Sequence, residues 1–395
     1  MANCVENNLS CTGCSACYVI CPVNAIKIEL SQNGFYTATL DKQKCIDCGK
    51  CLKVCPKFID NNFVNKFEDL PLYASYSLDK FVQESCSSGG IAFEISKYGL
   101  DNGYKIAGVI YDYIEQKAKT VIFDNLKDLE LFKGSKYLQS DCFQTFDEII
   151  KSKDNFIVFG TPCQISGLNL VAKQNNFKDR IIFVDFFCHG VPTYLLWNKC
   201  LEYIKKENKI KKINNINFRN KKYGWHNNTM KINDFFIKEN KNPFYTLFFS
   251  NLLLNDSCYN CNTKSSFDFT DIRIGDFWGE TFDNREDGVS IILPITNKGK
   301  EILETLKQNL KISLLEQKHD VCFKAQSAFK QYSINKNIRV NLFSLLKQDG
   351  NNMNNIVKEY FNSLSFKKKI VFKIKQILPV ILKSKIRFIY HKVVR

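Results

Sequence analysis

The chain has 395 residues, 45% of them hydrophobic and 13% aromatic, enough to bury a large core in two or three domains, which excludes a disordered protein. Its seventeen cysteines follow a start, MANCVENNLS, with no basic and apolar leader, and no apolar run approaches the ~18 residues of a membrane span, so metal or redox chemistry in the cytoplasm is expected instead of a secreted disulfide scaffold. The net charge of +16 is uneven, because residues 361–395 hold eight Lys, two Arg and no acid.

The first element is a repeat. Cys11, Cys14, Cys17 and Cys21 precede Pro22, and Cys45, Cys48, Cys51 and Cys55 precede Pro56, each displaced by 34 residues from its twin. In C-x2-C-x2-C-x3-C-P, three thiolates surround one iron-sulfur cube and the fourth points to the other. One 4Fe-4S cluster therefore takes Cys11, Cys14, Cys17 and Cys55, and its partner takes Cys45, Cys48, Cys51 and Cys21. Zinc is the rival, but it uses separated C-x2-C pairs and has no need of a third cysteine at the same spacing. Between the halves, IKIELSQNGFYTATLD predicts two strands around an Asn33-Gly34 turn. Residues 1–60 thus read as an α+β dicluster ferredoxin-like domain, followed by a polar linker at 61–71.

From residue 72 the periodicity changes. KIAGVIY (105–111), TVIF (120–123), NFIVFG (155–160) and RIIFVDFFC (180–188) predict buried strands alternating with helices, an α/β domain over 72–340 with mostly parallel strands. Ser87, Ser88, Gly89 and Gly90 run into a helical pattern, which suits either a phosphate at a helix N-terminus or an ordinary cap. KGSKYLQSD (133–141) is a second polar loop. In FGTPCQISGL, Gly160, Thr161, Pro162 and Cys163 end a strand, Cys188 and His189 follow the next one, and Cys258 and Cys261 come later at C-x2-C spacing. Ligands of open α/β sheets gather at such strand ends. Three readings of this set stay open: a Cys163 nucleophile near His189, a four-cysteine zinc, and a third 4Fe-4S cluster. Cys4, Cys86, Cys142, Cys200 and Cys322 are expected as buried free thiols.

Taken in order, SSGG (87–90), KGSKYLQSD, FGTPCQISGL, DFFCHGVP (185–192), FRNKKYGW (218–225), SCYNC (257–261) and DIRIGDFWG (271–279) resemble the beta subunit of coenzyme F420-reducing hydrogenases and dehydrogenases. The dicluster domain in front matches that family too. The resemblance implies an FAD in the α/β domain, a third 4Fe-4S cluster beside it, and the ferredoxin-like clusters leading outward. Its flavin site would include Ser87, Ser88, Gly89, Gly90, Lys136, Tyr137, Gln139, Gly160, Thr161 and Pro162. Arg219, Lys221, Lys222, Asp276 and Trp278 are further candidates for the isoalloxazine edge or substrate pocket, with core packing or a solvated face as the rival role.

The function so implied is a flavin- and iron-sulfur-dependent oxidoreductase that passes electrons between a hydride donor or small molecule and the clusters. Members also occur in organisms without the deazaflavin coenzyme, including bacterial surface-polysaccharide gene sets. The alternative is a non-catalytic electron-transfer subunit serving a membrane-associated enzyme. Either way a redox partner such as ferredoxin or a partner enzyme is expected. Residues 341–395 depart from the family pattern as a basic amphipathic helical tail, suited to an anionic membrane surface or to packing on the enzyme itself or on a partner subunit. Nucleic acid is not expected, since neither a recognition motif nor an aromatic stacking platform accompanies the charge.

Overall fold

The computed structural model describes residues 3–7, 10–59, 63–323, 326, 332 and 334–370. The dicluster domain holds three short helices, Cys4–Asn7 followed by Ala16–Ile20 and Lys50–Val54, the last two one in each cysteine repeat, and an antiparallel pair, β1 (Ile26–Leu30) and β2 (Tyr36–Leu40). Gly34 makes the turn between the strands at φ 72°, a backbone region that favours glycine.

The larger domain is built on an eight-stranded sheet. Its strands are β3 (Tyr73–Ser77), β4 (Lys105–Asp112), β5 (Lys117–Phe123), β6 (Phe156–Phe159), β7 (Ile181–Phe186), β11 (Ile272–Asp276), β12 (Ser290–Pro294) and β13 (Ile312–Glu316), in the order β13-β3-β12-β11-β7-β6-β4-β5. A separate antiparallel sheet is formed by β8 (Ile216–Asn220), β9 (Thr229–Ile232) and β10 (Phe235–Ile237). The expectation of a mostly parallel sheet is corrected. Only β11-β7, β7-β6 and β6-β4 pair in parallel, while β4-β5, β11-β12, β12-β3 and β3-β13 are antiparallel. The reason for β5 is local: four residues join it to β4, with Gln116 at positive φ, and so short a connection permits only a hairpin.

The parallel centre is where the sequence is most apolar. Every residue of β6 is buried, and Phe156 and Phe183 face one core while Ile157 and Ile182 face the other. The 13-residue helix Pro162–Gln174 starts directly beyond β6, with Pro162 in its first turn and a capping box between Thr161 and Gln164. One turn in, Gly167 lets the dicluster domain approach: a Cβ there would lie 2.9 Å from Ala16 Cβ and 3.1 Å from Cys14 Sγ.

The two domains are fastened by further bonds. Asn255 Nδ2 donates to Cys11 O at 3.2 Å, Tyr194 N to Gly34 O at 2.9 Å, and Thr193 Oγ1 to Asn33 O at 2.5 Å. The linker is held as well, because Val64 N and Asn65 N donate to the Asp268 carboxylate at 2.7 and 2.9 Å.

Helix Lys336–Lys347 crosses the expected boundary at residue 340, and with helix Met353–Ser363 it buries Leu342, Leu346, Met353 and Ile356 against the body of the domain. The expected basic tail lies outside the described residues from 371 onward. Among the described residues no helix is long and apolar enough to cross a membrane.

Candidate redox centre

Cys11, Cys14, Cys17 and Cys55 line one small pocket of the dicluster domain, so the fourth cysteine of the second repeat sits with the first three of the first. Cys51 is buried, Cys21 and Cys45 are half-buried and Cys48 is exposed, which puts the second set at the molecular surface. Backbone amides face several sulfurs: Gly13 N donates to Cys11 at 3.3 Å, Ala25 N to Cys21 at 3.3 Å, and Cys4 N to Cys51 at 3.4 Å. Such N–H···S bonds favour thiolate ligands and tune cluster potentials.

Cys163, Cys188, Cys258 and Cys261 come together around a second pocket, which Thr161, Pro162 and Lys264 also line, with Thr12 from the dicluster domain. Three chain segments supply the thiols: Cys163 and Cys188 lie beyond the carboxyl ends of the central strands β6 and β7, and Cys258 and Cys261 come from the turns before β11. Burial and the neighbouring thiols of Cys261, Cys188 and Cys258 push Cys163 well above a free thiol, and burial pushes Cys188 up to about 12. Thiols of this kind give up their protons when a metal binds, which releases those protons to solvent. Among the described residues no group of three Cys, His, Asp or Glu stands close enough to hold a single ion. That applies equally to the eight ferredoxin-like cysteines, whose motif belongs to cubes. His189 is engaged elsewhere, with Asn251 Oδ1 at 2.7 Å and Tyr332 Oη at 3.0 Å.

The Ser87–Gly90 turn sits at the N-terminus of helix Ile91–Asp101. Ser87 Oγ accepts from Ser135 N at 2.9 Å, which ties the turn to the second polar loop. Gly89 has no room for a side chain, since a Cβ would lie 2.4 Å from Ser75 O. Two ammonium groups close this region. Lys136 Nζ donates to the carbonyls of Leu131, Phe132 and Lys133 at 2.9–3.2 Å, and Lys221 Nζ to those of Gln83, Ser88 and Asp287 at 2.5–2.6 Å. Burial lowers Lys136 to about 7 and Lys221 to about 8. Neither forms an ion pair with a carboxylate among the described residues.

Beside them, buried Arg219 pairs with Asp276, donates to Trp225 O at 3.0 Å, and lies 4.6 Å over the Trp278 ring. Trp278 stacks on Trp225 with centroids 5.3 Å apart, and Trp225 Nε1 donates to Asp276 Oδ1 at 2.9 Å. Tyr137 lies close enough to Arg219 to interact with its charge. Lys222 stands apart, 3.9 Å over Phe236. Gln139 is turned to the dicluster domain: its amide donates to Thr12 O and Tyr36 O at 3.0 and 3.3 Å and accepts from Tyr36 N at 2.8 Å. Thr161 Oγ1 lies 3.2 Å from Cys163 Sγ, and Gly160 precedes it at the end of β6.

Sequence reasoning missed the charges that hold the second thiol pocket. Arg273 makes a buried bidentate pair with Asp185, at 2.8 and 2.5 Å, and donates to Lys264 O and Ser266 O at 2.7 Å each, fixing the segment after Cys261. Both partners fall within motifs that carry the family resemblance, DIRIGDFWG and DFFCHGVP. Lys264 carries no such signal, being one lysine in a lysine-rich chain.

Residues 153–319 match the family model for the carboxy-terminal part of the coenzyme F420 hydrogenase/dehydrogenase beta subunit, and residues 10–59 match the 4Fe-4S dicluster domain. The F component of the F(420)H(2) dehydrogenase of Methanosarcina mazei is 24% identical over 336 residues, 78% of this chain and 89% of its own length. Coenzyme F420-dependent sulfite reductase of Methanocaldococcus jannaschii is 31% identical over 169 residues, 40% of this chain and 24% of its own length. A chain of the F420-reducing [NiFe] hydrogenase complex from Methanosarcina barkeri has a similar fold, with TM-score 0.51 at 17% identity, covering 68% of this chain and 90% of that one.

Proposed function

We propose that the chain, whose residues 153–319 match the coenzyme F420 hydrogenase/dehydrogenase beta subunit and whose residues 10–59 match a 4Fe-4S dicluster domain, is an iron-sulfur oxidoreductase subunit of that family that exchanges electrons between a hydride carrier and three 4Fe-4S clusters through one FAD. The observation that carries this reading is the loop Lys133–Asp141. At one end Ser135 bonds Ser87 beside the two half-buried lysines, and at the other Gln139 and Ser140 line the four-thiol pocket. The flavin region and the third cluster region are thus a few residues apart.

The residues fit both groups. Two half-buried ammoniums without a carboxylate, beside a Ser/Gly turn at a helix N-terminus, leave a site short of negative charge that a dinucleotide pyrophosphate supplies. Gly89 and Gly288 keep the turn open, for a Cβ on Gly288 would fall 2.7 Å from Lys221 Nζ. Ser87, Ser88, Lys136 and Lys221 would hold the phosphates, and Arg219, Asp276, Tyr137 and Trp278 would meet the ring system. Bound there, FAD supplies the conversion between a two-electron hydride and single electrons.

The chain's own part is to orient and to insulate: Arg219 is kept cationic by Asp276, and Trp278 covers its guanidinium. Cys163, Cys188, Cys258 and Cys261 fit a cube better than zinc because they surround a pocket instead of converging on a point. From this pocket the packing of Gly167 on Cys14 leads to the first dicluster set, and the second set, with exposed Cys48, faces a protein partner. Relatives named as part of a dehydrogenase and as a coenzyme F420-dependent reductase support F420H2 as the hydride carrier and a protein as the other terminus. A role in surface-polysaccharide chemistry rests on the resemblance alone.

The test is anaerobic mixing of the FAD-loaded chain with F420H2 or a nicotinamide donor. Flavin and cluster absorbance should bleach together. Clusters that respond to dithionite but to neither hydride donor would leave only the role of an electron-transfer component.

A further inference from the structure

Lys264 is 6% exposed and lines the four-thiol pocket. Its ammonium donates to His189 O at 2.7 Å and Cys258 O at 3.2 Å, and it has no carboxylate partner among the described residues. His189 follows Cys188, so one side chain spans two of the segments that bear cysteines. Its own backbone is fixed from behind by Arg273, which donates to Lys264 O. A buried cation that ties two ligand loops and faces four thiols is costly unless the pocket holds negative charge.

We propose that Lys264 is a positioning residue of the third cluster, joining the Cys188 and Cys258 segments and raising the cluster's reduction potential by its charge. This rests on the reading of the Cys163 set as a 4Fe-4S site. A cube with four thiolates is anionic and gains one more negative charge on reduction, so a nearby cation stabilises the reduced form more than the oxidised one. The third cluster is thereby made a better acceptor for electrons arriving from the flavin side.

The experiment is redox titration, followed by electron paramagnetic resonance, of anaerobically prepared full-length wild type, Lys264→Met and Lys264→Arg, with iron counted in each. About twelve iron atoms in the wild type establish the third cube, and eight would overturn that reading before any variant is considered. Given twelve, the proposal predicts a more negative midpoint for the third cluster in Lys264→Met, a midpoint near wild type in Lys264→Arg, and unchanged dicluster midpoints. Loss of about four iron atoms from Lys264→Met but not from Lys264→Arg also supports it, since the charge is then required for assembly. An unchanged midpoint in an iron-replete Lys264→Met overturns it, as does equal loss of iron from both variants.

Discussion

At the scale of single residues, the account turns on a few charges and thiols. Replacing Cys163 with Ser removes one of four ligands and should lower iron by about four atoms per chain, with the dicluster signals intact by electron paramagnetic resonance. Arg273→Leu strands Asp185 in the core, a change that costs about 3–5 kcal/mol in a buried pair. Denaturant unfolding should register that loss, and the segment bearing Cys258 and Cys261 should give up its iron first. Lys136 carries a pH prediction. Burial holds it at about 7, against ~10.4 in an unfolded chain, so between those values the folded protein binds fewer protons than the unfolded one. Stability of the flavin-free protein from this group therefore rises as pH rises through that window. Phosphate recognition needs the ammonium, so FAD affinity should fall as pH climbs above about 7. Lys136→Met should bind FAD more weakly and lose most of that pH dependence, as fluorescence titration of FAD would show.

At the scale of elements, close approach decides function. Gly167 lies inside a helix, where glycine is unfavourable by roughly 0.5–1 kcal/mol relative to alanine, and its place there answers to the contact with Ala16 and Cys14. Gly167→Val should cost about 1–3 kcal/mol through overpacking and push the Cys14 set away from the Cys163 set. Slower re-oxidation of the third cluster in stopped-flow traces would report it. The strand beside this glycine was readable in FIVF, because an apolar run is a local signal. The glycine's purpose was not, since its neighbours lie about 150 residues away in the chain. The outer strands show the same limit: β12, β3 and β13 pair antiparallel through long-range register that no window of sequence contains.

At the scale of the whole molecule, the eight ferredoxin-like cysteines were legible because a repeat encodes its own geometry, and the order of seven short motifs pointed to the second domain. The assembly of Cys163, Cys188, Cys258 and Cys261 was open to three readings in the sequence, since only the fold shows that three separate segments meet at one pocket. Gln139, expected near a flavin from the resemblance, turns to Thr12 and Tyr36, which shows how a loop shared by two sites divides its side chains between them. Under the proposed function these features would form one line of redox groups, from the Ser87–Gly90 turn through the Cys163 pocket and the Cys14 set to exposed Cys48. Metal and flavin analysis of the anaerobically prepared chain tests that line most directly. The account predicts about twelve iron atoms, one FAD and no zinc per chain; eight iron atoms with one zinc, or a full complement of iron that cannot be loaded with flavin, would contradict it.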